Sequence, residues 1–341
     1  MRDLAWWGFK MTFDHESDYD RFDKERNDPW REPAREVATR PRVWTVFAAF
    51  GLAVFAILGL QLVLGVVLAV WLLATGVGME RLEQEALGLV TEPAVFLGSF
   101  ALTMAVVAAS AIVPALLSRE PTLSRLGLTT PALPIWGYPF LMLGSGVAVA
   151  LGLGLYQALA LVTKPDDSLE IFYTKITWPI VGPFLLLISL GPGFMEELLC
   201  RGYIQRRLLA RWSPWLAILV SSSLFAVLHL LPHTILFAFP AGIWLGVIAW
   251  RTGSVWPGIV CHVFVNASIC AHEVGIRLLG WPEVPPLIGC IALGVAITGG
   301  FTGSVWLLWR AKLESAPAFE DAGDPDGFRP ERVDPDDRIM G

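Results

Sequence analysis

The chain has 341 residues, 55% of them hydrophobic and only 16% charged, with a formal net charge of −6. Soluble domains carry about 25% charged residues, so the composition excludes an ordinary soluble globule and places the chain among polytopic membrane proteins. The charge sits mostly in two polar tails, and no nucleic-acid reading survives.

Residues 1–42 are too polar to hold the apolar core of a signal peptide and read as a retained tail, whose Trp6, Trp7 and Phe9 either lie on the membrane surface or belong to a short disordered segment. A spanning helix needs roughly 20 mostly apolar residues. Such windows fall at about 44–75, 93–117, 134–162, 177–208, 213–231, 234–250, 255–271 and 285–309. Residues 312–341 are rich in Asp, Pro and Gly and read as a disordered acidic tail. The expected architecture is all-α: a polytopic bundle of about eight transmembrane helices over residues 43–311, with a polar site inside it.

Arg31, Arg35, Arg40, Arg42, Arg119, Arg125, Arg206, Arg207, Arg211, Arg251, Arg310 and Lys312 fall on one side of this arrangement. Arg81, Lys164, Lys175 and Arg277 fall on the other, outnumbered there by Glu and Asp. The bias predicts that both termini are cytoplasmic. No inverted repeat of the transporter kind is visible. Cys200, Cys261, Cys270 and Cys290 have no metal-type spacing and read as buried thiols.

From Ile176 to Met195 no residue carries a formal charge; then Glu196, Glu197 and Arg201 arrive together. An ionisable group at the bilayer centre costs roughly 2.5–3.5 kcal/mol on insertion scales, so such groups ordinarily face a bundle interior and act there. Glu197 and Arg201, four apart, can neutralise each other, which leaves Glu196 without a comparable cation. A plainer reading makes the trio a helix end, with Arg201 snorkelling beside Arg206 and Arg207. The preceding Gly191-Pro192-Gly193 either kinks the helix or restarts it, aiming free N–H groups at the carboxylates.

Two later segments bear on this choice. Phe225 and His229 are four apart, as are His262 and Asn266, and each pair shares one face of its predicted helix. A lone histidine in an apolar helix is ordinarily a hydrogen-bonded core residue. Two of them, with an amide and a glutamate pair on a third helix, must find one another where there is no water. Their convergence would support hydrolysis: Glu196 as general base toward water, His229 holding that water or relaying its proton, and His262 and Asn266 as donors to an oxyanion. No serine or cysteine stands in a G-x-S-x-G setting, and Ser221, Ser222 and Ser223 read as helix-packing residues.

The run EELLCRG matches an E-E-x-x-x-R motif, FAVLH matches F-x-x-x-H, and HVFVN matches H-x-x-x-N/D. The stretch GVIAWRTGSVWPGIVCHVFVNA adds a basic-Thr-Gly-Ser turn before a Trp-Pro pair. In these motifs, their order and their spacing, residues 177–271 resemble the CAAX protease and bacteriocin-processing (CPBP) family, intramembrane glutamic endopeptidases that include the type II CAAX prenyl endopeptidase. The resemblance implies a site open to the cytoplasmic side in a multi-pass protein of the plasma (inner) membrane, no metal or cofactor, and a peptide or lipidated (CAAX-like) protein substrate. It implies Glu196 as the base acting with His229, Glu197 and Arg201 as shape-holding residues, His262 and Asn266 at the oxyanion, and Phe225 packed beside the histidine. Cys200 departs from the family pattern, which places an aromatic residue there.

Three other readings remain open at this level. A zinc hydrolase would use His229, His262 and a glutamate, although no H-E-x-x-H is present. A non-catalytic scaffold or immunity protein of the same fold would need none of the chemistry, and a transporter would use Glu196 and Glu197 as ion carriers.

Overall fold

The computed structural model describes residues 43–118 and 121–311. The two tails, with Trp6, Trp7, Phe9, Arg31, Arg35, Arg40, Arg42 and Lys312, and also Arg119, lie outside the described residues. The described chain is helical, with no strand among these residues: α1 Trp44–Ala74, α2 Leu82–Val90, α3 Pro93–Leu116, α4 Thr122–Arg125, α5 Tyr138–Ala160, α6 Ser168–Thr174, and α7 Trp178–Glu197 running into a π-helical segment Leu198–Gln205 and α8 Arg206–Leu209. Then come α9 Pro214–Val227, α10 Pro232–Thr252, α11 Trp256–Leu279 and α12 Leu287–Arg310.

Among the described residues, seven helical stretches are long and apolar enough to cross a membrane, and each coincides with a window read from hydropathy. The remaining window, at about 213–231, is shorter than expected: α9 has 14 residues. Pro232 explains the early stop. Proline disfavours helical geometry in the residue before it, and Leu231 is accordingly extended, with φ −84° and ψ 132°. The chain therefore turns through residues 228–231 instead of continuing, and Leu230 takes a left-handed φ of 61°. His229 consequently lies in this turn, two residues past the end of the helix on which its spacing to Phe225 had placed it.

The Gly191-Pro192-Gly193 stretch lies inside α7, which runs unbroken to Glu197, so it does not restart the helix. The departure from α geometry comes one turn later. All eight residues of the π-helical segment are buried, and such segments commonly mark functional sites. Gly202 lies against the Leu126 carbonyl, and the Ser221 hydroxyl donates to the Cys200 carbonyl at 2.9 Å. That bond gives Ser221 the helix-packing role read for it.

α11 packs along α7, while α10 lies between α5 and α9; α12 covers the other side of α5, and α1 joins the bundle through α3. The α10–α11 connection is short because Thr252-Gly253-Ser254 closes it. Gly253 takes the left-handed helix-ending conformation at φ 68°, Ser254 Oγ donates to the Thr129 carbonyl at 2.6 Å, and Pro257 sits in the first turn of α11. This closure sets the depth of His262.

The two sets of basic residues gather at opposite ends. At one end Arg207 donates to Thr45 Oγ1, Arg206 to the Gly253 carbonyl and Arg251 to the Leu308 and Trp309 carbonyls. At the other, Lys175 binds Glu92 and Thr91, and Arg277 pairs with Glu170. The first turn of α1 and the last turn of α12 thus share the arginine-rich end. Cys200, Cys261 and Cys270 are buried as expected, but Cys290 is exposed on α12. Apolar surroundings in sequence do not reveal which side of a helix faces its neighbours.

A methyl group at Gly202 would run into the Leu126 carbonyl oxygen, whereas one at Gly294 meets nothing within 4 Å. Gly202→Ala is expected to destabilise the fold by about 1–3 kcal/mol and to lower the thermal unfolding midpoint in detergent, with Gly294→Ala as the control that does not.

Candidate active site

Three carboxylate oxygens define how the two adjacent glutamates differ. Glu197 Oε1 accepts from Arg201 Nη1 at 2.8 Å and from His262 Nδ1 at 3.1 Å, and both side chains of the Glu197–Arg201 pair have no solvent exposure. Its Oε2 has no hydrogen-bond partner and lies beside Gly258, where an added Cβ would come within 2.9 Å. Glu196, 7% exposed, has a buried Oε2 without a partner and no ion pair among the described residues. Glu197 is engaged through Oε1 in an ion pair and a histidine contact, whereas Glu196 has neither among the described residues.

Arg201 is held on three sides. Its Nη2 donates to the Gly242 carbonyl at 2.8 Å, and its guanidinium lies 4.3 Å from the centre of the Phe225 ring. It is buried, so the snorkelling reading fails. The Phe225 ring also meets both histidines edge-on, His229 at 5.2 Å and His262 at 5.7 Å between centroids. One aromatic ring therefore spaces the two imidazoles and closes the arginine from below.

Hydrogen bonding fixes how each histidine is presented. His229 Nδ1 bonds the Phe225 carbonyl at 3.2 Å, and since a carbonyl only accepts, Nδ1 carries the proton and Nε2 remains as the acceptor of a neutral ring. His262 Nδ1 faces the Glu197 carboxylate, which leaves its Nε2 for the other side. Asn266 Nδ2 donates to the Ile188 carbonyl at 3.3 Å. That carbonyl is free because Pro192, four residues on, has no N–H to return. A second amide N–H of Asn266 stays available.

His229, His262, Asn266 and Phe225 line one cavity of about 50 Å³, together with small and apolar residues of α5 and α10. That volume holds a few water molecules. The structure therefore brings Glu197, Arg201, Phe225, His229, His262 and Asn266 into one connected cluster. It does not bring Glu196 to the cavity wall. Among the described residues, no three His, Cys, Asp or Glu side chains come together as metal ligands.

Residues 178–268 match the family model Rce1-like, the type II CAAX prenyl endopeptidase Rce1-like family. The matched segment is similar to that family. It runs from α7 into α11 and contains all seven candidate residues, while the helices before it and α12 lie outside the match. No curated protein and no solved structure matches the chain. With seven apolar helices among its described residues and this match, the chain is an integral membrane protein.

Inside the matched segment, sequence reasoning missed the Gly242 carbonyl, which has no side-chain signature, and the Ile188 carbonyl. The second was inferable in part: Pro192 leaves Ile188 without its helical partner, although nothing in sequence says that Asn266 supplies the replacement.

Removing one member of a fully buried ion pair costs about 3–5 kcal/mol because the other charge stays buried. Arg201→Met is expected to lose that much stability in a thermal or chemical unfolding measurement, while Glu196→Gln, which breaks no pair, keeps a midpoint near that of the wild type.

Proposed function

We propose that the chain is an intramembrane endopeptidase that hydrolyses a peptide bond of a membrane-associated or lipidated protein with water activated by Glu196 and His229. The observation that carries this reading is the shared cavity of His229, His262 and Asn266 within the Rce1-like segment, braced from behind by the buried Glu197–Arg201 pair.

The division of labour follows from which groups are occupied. Glu197 is engaged through Oε1 by Arg201 and His262, so Glu196, which has no ion pair among the described residues, is the carboxylate left to take a proton. His229 Nε2 is the acceptor that orients the water between them, and contacts of this kind tighten as substrate binds. Water loses its proton to Glu196 as its oxygen bonds to the scissile carbonyl carbon. The negative charge then forms on the carbonyl oxygen, where Asn266 donates its second N–H and His262 donates from Nε2. Donation from His262 requires the doubly protonated ring, whose positive charge faces the Glu197 carboxylate. Collapse of the intermediate breaks the C–N bond, and the departing amine takes the proton back from Glu196.

The basic residues at the end shared by Thr45 and Trp309 support cytoplasmic termini in a plasma (inner) membrane protein, with the substrate arriving from the cytoplasmic side. On this reading the catalytic set needs no metal, so cleavage persists after exhaustive chelation.

Purified protein in detergent, tested on membrane-anchored and prenylated peptides, is expected to lose about 10²–10⁴-fold in kcat with Glu196→Gln or His229→Ala. Undiminished cleavage by both folded variants would remove the assignment. Partner binding without any cleavage by the wild type would favour the scaffold reading instead.

A further inference from the structure

Arg201 is one of two buried side chains that tie the π-helical segment to α10. Gln205, four residues later and 1% exposed, donates from Nε2 to the Gly246 carbonyl at 2.8 Å. Arg201 makes the same kind of bond, at the same 2.8 Å, to the Gly242 carbonyl. The donors are spaced by four and so are the acceptors, which makes a two-rung ladder between segments that run in the same direction. Both acceptors are glycines for a steric reason: an added Cβ at Gly246 would come within 2.9 Å of Gln205 Oε1, and one at Gly242 within 3.1 Å of Phe225 Cδ1.

Toward α10, a single rung would leave the π-helical segment able to pivot about the Arg201–Gly242 bond. The second fixes both rotation and axial register. Arg201 has little tolerance for such movement, because it reaches Glu197 through Nη1, Gly242 through Nη2 and the Phe225 ring through its face at once. Gln205 does not line the cavity, and its side chain supplies the second donor without placing a third charge beside a buried ion pair.

We propose that Gln205 is a positioning residue for the site, holding the π-helical segment on α10 in the one register at which Arg201 binds Glu197 and Gly242 together and Glu197 holds His262. Its consequence for turnover rests on the protease reading above; its consequence for Glu197 does not.

The test compares Gln205→Leu and Gln205→Glu with the wild type. Gln205→Leu has no donor, and its kcat is expected to fall at least tenfold at nearly constant KM. Gln205→Glu donates to Gly246 only while its carboxyl is protonated; once ionised it repels that carbonyl and competes with Glu197 for Arg201. Its kcat relative to the wild type is therefore expected to rise as pH falls, while the Gln205→Leu ratio stays flat. The same proteins are treated with dicyclohexylcarbodiimide and the modified glutamate is mapped by mass spectrometry. Release of Arg201 is expected to raise labelling of Glu197 severalfold relative to Glu196. Wild-type kcat and wild-type Glu197 labelling in Gln205→Leu would overturn the proposal, as would a Gln205→Glu ratio indifferent to pH. Should Gln205→Leu not fold, Gln205→Glu at two pH values carries the comparison within one protein. Should the wild type cleave no peptide, the protease reading fails and the labelling alone decides the role of Gln205.

Discussion

An ion pair with no solvent exposure on either side chain, Glu197 with Arg201, is the interaction around which the other contacts of the site are arranged. Two charges taken out of water are tolerated only when each meets several well-placed partners. Arg201 meets a carboxylate, a backbone carbonyl and an aromatic face; Glu197 meets the guanidinium and an imidazole. Each of those partners belongs to a different element. The carbonyl is on α10, the ring on α9 and the imidazole on α11, so satisfying one buried pair brings three helices against the π-helical segment. Glycine at 242 and 258 keeps those approaches open.

The histidines and the asparagine inherit their orientation from this arrangement. Phe225 spaces the two imidazoles, its own carbonyl fixes the tautomer of His229, and Glu197 fixes the ring of His262. Asn266 is oriented by a carbonyl that Pro192 has freed. A residue that looks like a helix defect thereby becomes part of the support of the site. Glu196 stands apart from these constraints, and an uncommitted carboxylate next to a committed one is how a pair of identical side chains can divide into a reactive and a structural member.

Hydropathy and spacing made much of this legible. Every apolar window contains a helix, though the one at 213–231 stops at Val227, and the Glu197–Arg201 spacing of four anticipates the 2.8 Å contact. The three motifs fall inside the segment that matches the Rce1-like family. What was not legible belongs to backbone geometry. Composition is equally apolar through Leu230 and Leu231, so the end of α9 depends on the conformational restriction imposed by Pro232. The π-helical turn has no hydropathy signal, and carbonyl acceptors such as Gly242 look like any other glycine in sequence. Cys290 was misplaced for a related reason: periodicity in a helix that is apolar all round does not distinguish lipid from protein.

The central claim is that a peptide bond is cleaved by attack of water and not of a protein side chain. Single-turnover cleavage of a membrane-anchored peptide by the purified wild-type protein in H2¹⁸O tests it directly. The account predicts one solvent oxygen in every new carboxylate from the first turnover, with Glu196 left unlabelled. Product carrying only unlabelled oxygen, with the label appearing in the Glu196 carboxyl, would contradict it by showing an acyl-enzyme.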